Sequence, residues 1–302
     1  RERRGQYTTV SVRGAKRRNV APALTARAAG RDTRFPMATR TSSVYALILR
    51  AKDGPSGDRI VTLLSAEEGL VDAFAFGGAK SKLRSLASPW HEGRAWLYRD
   101  PGKGLTKLTD FDVELDHAAI RSALPALGAA SLSSELAIAT EGFGGDWEGG
   151  LALCRSLLSA LDEAVARGEG AAGDEPRMRA AVDGALAGFC LRAAAMAGLL
   201  PDPADCSLCA GQSPADGLCW YSRRAGAFVC GRCAAAEAER GPLVELPAGA
   251  ARWLALAASP DEPISRRAGL GRAELSALRA IGLDLAAKVA HGRLKTLESG
   301  LL

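Results

Sequence analysis

The chain has 302 residues, 47% hydrophobic and 24% charged, a globular balance with room for two or three domains. No apolar run approaches the roughly 18–20 residues needed to cross a membrane; the longest, such as Ala193–Leu200, are far too short. The net charge of +5 does not describe the folded part, because residues 1–36 hold ten basic residues against Glu2 and Asp32. The rest of the chain carries 29 basic and 32 acidic residues, about −3.

Residues 1–36 contain no hydrophobic stretch of the signal-peptide kind. Met37 opens MATRTSSVYALILR and reads as a natural start just before a first strand. The preceding stretch is expected to be a disordered basic leader, the product of an over-extended reading frame, with an organelle transit peptide as the alternative.

From Val44 the pattern is of short strands separated by turn signals. The expected strands are Val44–Arg50, Arg59–Leu64, Leu70–Phe76, Arg94–Arg99 and Leu105–Val113. The segments between them, DGPSGD, EEG, GGAKSK and DPGKG, are rich in glycine and charge. Five strands without helical periodicity over residues 37–115 predict a small closed barrel of the oligonucleotide-binding (OB) type, with an SH3-like barrel as the alternative.

Beyond Asp116 the chain turns alanine- and leucine-rich, with apolar residues three and four apart. Helices are expected over Ile120–Thr140, Trp147–Ala166 and Arg177–Leu199, the last stopped by GLLPDP. Further helices are expected over Gly249–Ala258 and Arg272–Leu297. The fold class is therefore α+β. A barrel is followed by a helical domain in two parts, 116–203 and 237–302, interrupted by a cysteine module at 204–236.

That module contains Cys206-x2-Cys209 and, twenty residues on, Cys230-x2-Cys233. Each CxxC turns two thiolates toward one point, and two such knuckles complete a tetrahedral S4 shell. Soft thiolates without histidine or carboxylate favour one structural Zn2+ per chain. Two disulfides, a redox pair or another metal such as iron are the alternatives. Cys219, between the pairs and without a CxxC partner, is expected to pack in the hairpin formed by CWYSRRAGAFVC. Cys154 and Cys190 lie on apolar helical faces as small core residues.

The three histidines, His91, His117 and His291, sit in no metal-binding spacing, and neither a GxSxG elbow nor a GxxxxGK[ST] loop is present. The expectation is a binding protein, not an enzyme. From Met37 to Leu108 there are eleven basic and seven acidic residues, a local excess of four positive charges. Lys80, Lys82 and Arg84, on what reads as a flexible loop, form a basic cluster that suits sequence-independent phosphate contacts, while Arg50 closes the first strand, Arg59 opens the second and Arg94 lies on a later one. Lys52, Arg99, Lys103 and Lys107 add to the charge. Phe74, Phe76, Trp90, Trp96 and Tyr98 are candidate stacking platforms, with two or three expected in the core.

Three stretches carry a resemblance to the RecO family of bacterial DNA repair proteins. They are ALILRAKDGPSGDRIVTLLSAEEGLVDAFAFGGAKSKLRS (46–85), FCLRAAAMAGLLPDPADCSLC (189–209) and FVCGRC (228–233). The likeness spans roughly Ser43–Ala290. The sequence departs from the family pattern at Ser56-Gly57, where an acidic residue is usual, and at Ala210-Gly211, where the glycine comes one place late. The resemblance implies binding of single- and double-stranded DNA and annealing of complementary strands, with Lys80, Lys82 and Arg84 the first candidates for DNA backbone contacts and Arg50, Arg59 and Arg94 next. It also implies action with RecR to load RecA onto strands coated by single-strand-binding protein, in the cytoplasm and at the nucleoid. The competing interpretation is a zinc-ribbon protein–protein scaffold that touches no nucleic acid.

Overall fold

The computed structural model describes residues 40–54, 57–77, 81–168, 175–212, 219–257 and 270–302. The expected leader and Lys80 lie outside the described residues.

Five strands close a barrel: β1 (Thr41–Asp53), β2 (Arg59–Ser65), β3 (Gly69–Ala75), β4 (Glu92–Asp100) and β5 (Leu105–Leu115). Their order around the barrel is β1-β2-β3-β5-β4, with β3 and β5 parallel and the other pairs antiparallel. A short helix, α1 (Lys82–Leu86), bridges β3 and β4. This is the OB topology expected from the turn spacing.

The sequence VYALIL is apolar almost throughout because β1 is buried on both faces. Val44, Ala46 and Ile48 fill the barrel, while Leu47 and Leu49 point out into the helical core. One register shift between Ile48 and Arg50 lets the strand change its facing beyond that point.

A 3-10 turn at Ala118–Ser122 leads into α2 (Leu124–Ala139), the turn α3 (Glu141–Gly144), α4 (Trp147–Gly168) and α5 (Glu175–Met196). The single helix expected over Ile120–Thr140 is divided, because Pro125 lacks an N–H and starts a new helix in its first turn. Helix α5 is buried on nearly every side between α4 and α8 (Arg272–Val289), hence its mostly small and apolar sequence beyond the first turns, interrupted by Asp183, which pairs with Arg279 of α8 (2.9 Å), and by Arg192. A Cβ at Gly282 of α8 would lie 3.1 Å from Cys190 Cβ, so glycine lets the two helices approach.

The barrel is not a separate bead. Leu47, Leu49, Leu64 and Trp90 belong to the same buried cluster as the helices. Gly69, at φ +68, lies under the Trp147 ring, where a Cβ would be 2.4 Å from an indole carbon. Glu92, 1% exposed, receives Arg155 of α4 and the Tyr45 hydroxyl.

The cysteine module adds strands β6 (Cys219–Ser222) and β7 (Ala227–Cys230), helix α6 (Gly231–Ala238) and strand β8 (Leu243–Leu246), the sheet order being β7-β6-β8. The hairpin is as expected; β8 and α6 are additions. Helix α7 (Ala248–Ala257) follows. The helix expected over Arg272–Leu297 stops at Val289, where His291 takes φ 49 and Gly292 follows, before α9 (Lys295–Glu298).

Candidate metal centre and nucleic-acid interface

The Cys206 and Cys209 knuckle is a tight turn. The N–H of Ala210 donates to the Cys206 carbonyl (2.9 Å), and that of Cys206 to the Gly211 carbonyl (3.0 Å). Ala210 takes φ 53, the conformation that the late glycine would otherwise supply. In the second knuckle Cys230 ends β7 and precedes α6, whose first turn carries Cys233. The backbone joins the two halves: Ser207 N–H donates to the Phe228 carbonyl (2.9 Å) and Cys230 N–H to Cys206 Sγ (3.3 Å).

The four sulfurs lie within 4.8 Å of one another. Cys209 Sγ and Cys230 Sγ are 3.8 Å apart. Zinc–thiolate bonds of about 2.3 Å give a tetrahedral S···S edge of about 3.8 Å, so the cage fits that ion. Burial pushes the Cys206 thiol up, but hydrogen bonds from the backbone of Cys230, Cys209 and Leu208 prevail and bring it down to about 6. The backbone N–H of Cys233 lowers Cys230, against its burial. Cys233, hydrogen-bonded to Cys230 and then partly desolvated, is pushed up to about 12. With four protein ligands, such a site offers no position for a reacting water.

Cys219 is outside this group. It is 3% exposed in the main core, and burial pushes its thiol up to about 11. The module docks on α8 through Tyr221, whose hydroxyl donates to Asp284 (2.7 Å), and through Lys288, which donates to the Arg223 carbonyl (2.7 Å).

The structure separates the candidate phosphate contacts. Lys82 is exposed at the start of α1; the flexible loop expected there is helical at this end. Arg84, on the same helix, donates to Asp53 Oδ2 (2.7 Å) and the Gly57 carbonyl (3.0 Å). Arg59 donates to Asp53 Oδ1 (3.2 Å) and to the Arg84 and Ala87 carbonyls (2.8 and 3.2 Å). Arg59 and Arg84 thus clip α1 to the β1–β2 turn through one carboxylate. Arg50 leans on Thr62 Oγ1 (3.2 Å). Arg94 is exposed on β4, but Asp112 stands across from it on β5 and Asp110 across from Trp96. On this face Asp110 and Asp112 offset part of the positive excess counted to Leu108.

One region escapes that cancellation. Lys107 pairs across β5 with Phe74 of β3 on one side and Tyr98 of β4 on the other. Its ammonium lies 5.5 Å from the Phe76 ring centre and 5.7 Å from that of Tyr98. Phe74 and Phe76 stack at 5.9 Å, and Phe76 and Trp96 are 44% and 37% exposed. Of the five aromatics, only Trp90 is fully in the core. The alternation of β3 and β4 was the signal for this: each pair of aromatics is two residues apart, on the side opposite the barrel-filling Ala73, Ala75, Ala95 and Leu97.

Residues 37–114 match the family described as Recombination protein O N terminal. The chain is 31% identical over 215 residues to the DNA repair protein RecO of Anaeromyxobacter sp. (strain Fw109-5), covering 70% of this chain and 78% of that protein. It is 31% identical over 192 residues to the DNA repair protein RecO of Pelotomaculum thermopropionicum, covering 63% and 67%. Over 228 residues it is 31% identical to the protein of that name from Anaeromyxobacter dehalogenans (strain 2CP-C), covering 74% and 84%.

Proposed function

This chain belongs to the RecO family, and from that premise we propose that it is a non-enzymatic DNA repair and recombination mediator. It binds single- and double-stranded DNA and anneals complementary strands. With RecR it helps load RecA onto strands coated by single-strand-binding protein. Its setting is the cytoplasm and the nucleoid. Among the described residues, no helix is long and apolar enough to cross a membrane.

The observation that carries this reading is the outward Phe76–Lys107–Tyr98 cluster on a closed barrel. Unpaired bases stack on exposed rings at about 1–3 kcal/mol each, whatever their sequence. A lysine among the rings draws the phosphates to the same place, and Lys82 extends the charge toward α1. Neutralised phosphates repel a complementary strand less, which favours annealing.

The four thiolates would hold one Zn2+, which supplies a structural cross-link. Cys206, Cys209, Cys230 and Cys233 then fix a module that is otherwise anchored by a three-stranded sheet and the α8 contacts. The DNA work is assigned to the barrel, not to the metal.

Annealing of complementary strands coated with their cognate single-strand-binding protein tests the proposal. The chain is expected to accelerate annealing at low salt and to lose that effect as salt rises. Zinc-loaded protein that leaves the annealing rate unchanged and binds no oligonucleotide favours the scaffold alternative.

A further inference from the structure

The seam between barrel and helices contains a cleft of about 600 Å3, lined by β1, Pro89–Trp90, α2 and residues 293–296. Its floor and far wall are fixed. Trp90 is 8% exposed, donates its indole N–H to Ser134 Oγ (3.1 Å) and its backbone N–H to the Ile48 carbonyl (2.7 Å). Across the cleft, Glu135 accepts the backbone N–H groups of Lys295 (2.6 Å) and Thr296 (2.9 Å).

The rims carry charge of one sign. Arg50 and Lys52 come from β1, Arg293 and Lys295 from the opposite wall, and Glu135 is the single carboxylate in the lining. That carboxylate is engaged by backbone donors. Arg50 leans on Thr62, whose hydroxyl donates to Asp72 (2.6 Å). Arg293, with a side chain 90% exposed, faces Glu298 at 3.4 Å. Among the described residues Lys52 and Lys295 form no ion pair.

We propose that this cleft binds the phosphodiester backbone of a second DNA strand, so that one chain holds two strands, one on the Phe76–Lys107–Tyr98 face and one in the seam. The inference rests on the function proposed above. Cations on two facing walls suit a polyanion lying between them, with the guanidinium groups able to take phosphate oxygens in pairs. The floor of Leu49, Trp90 and Ile138 is apolar and the cations stand on the rims, so the phosphodiester backbone rather than the base edges is expected to govern binding. The first face is built from β3, β4 and β5, the seam from β1 and the helices, so neither strand excludes the other from its cations. An extended peptide adding to a sheet edge is disfavoured, because β1 is already paired with β2 and β4.

The test uses the full zinc-loaded chain and two non-complementary oligothymidylates, one labelled with a donor dye and one with an acceptor. Sedimentation gives the number of strands per chain, and energy transfer reports co-binding. The wild-type chain is expected to bind two strands. Lys52→Glu with Lys295→Glu is expected to keep the first strand and weaken the second by about tenfold or more. Lys52→Arg with Lys295→Arg is expected to keep both. Lys52→Gln with Lys295→Gln serves if charge reversal lowers the unfolding temperature. One strand per wild-type chain, or two retained by the reversed and neutral variants, overturns the inference and leaves the barrel site standing. No binding by the wild-type chain overturns the proposed function itself. An acidic peptide that occupies the seam where no second strand does overturns the nucleic-acid assignment.

Discussion

The backbone N–H of Cys230 donates to Cys206 Sγ at 3.3 Å, joining the two halves of the thiol cluster directly. The knuckles are thereby held in register by the same strand that carries the third ligand. One Zn2+ per chain is expected by metal analysis. Cys206→Ser is expected to lose most of it, and Cys219→Ser to retain it. Equal metal content in the two variants contradicts the ligand assignment.

Thiol reactivity distinguishes the two kinds of cysteine. Burial pushes Cys154 and Cys190 up to about 12 and Cys219 up to about 11, so almost none of each is thiolate near pH 8. In the folded protein a disulfide reagent is expected to leave these three unmodified. Chelation is expected to add a fast phase led by Cys206 and Cys230, whose thiolates the backbone N–H groups stabilise. A fast phase that persists in the variant lacking all four contradicts the assignment.

Arg155 Nε lies 2.9 Å from the carboxylate of Glu92, which is 1% exposed. Arg155→Ala leaves that carboxylate, among the described side chains, with only the Tyr45 hydroxyl (3.3 Å). The arginine is half exposed, so water replaces part of what is lost. A destabilisation of about 1–3 kcal/mol is expected in urea unfolding. Because the pair ties β4 to α4, Arg155→Lys is expected to recover only part of it.

Asp53 is held below its ordinary 3.8, first by the hydrogen bond from Arg59 and then, against slight burial, by the Arg84 charge. A depressed carboxyl contributes stability above its unfolded value and loses it as pH falls through the folded one. Asp53→Asn is therefore expected to lower the urea midpoint slightly at pH 7, with the difference closing under acid conditions. A difference that grows on acidification contradicts the clip. The same geometry affects a triple Lys80→Ala, Lys82→Ala, Arg84→Ala variant: any loss of DNA binding would include disruption of α1. Asp53→Asn is its control.

The barrel, the long helices and the thiol cluster were legible in the sequence because each rests on local spacing. Alternation marks β3 and β4, and CxxC spacing fixes a shared sulfur centre. The exceptions depend on what lies opposite. Arg84 reads as a free loop cation because nothing near it in sequence shows that Asp53, 31 residues earlier, will hold it. Asp110 and Asp112 offset Arg94 only once the β4–β5 register is known. Strand β8 has four residues and an unremarkable pattern; pairing with β6 defines it. Arg293 and Lys295 carry no motif, and their place opposite β1 follows from Glu135 capturing the backbone beside them.

The most direct test of the central claim is the salt dependence of oligothymidylate binding, measured by fluorescence anisotropy, for the wild-type chain, Lys107→Ala and Phe76→Ala. Lys107→Ala is expected to reduce the magnitude of the slope of log K against log salt by about one. Phe76→Ala is expected to weaken binding by about 1–3 kcal/mol with the slope retained. Affinity and slope unchanged in both variants would contradict a DNA-binding face at Phe76, Lys107 and Tyr98.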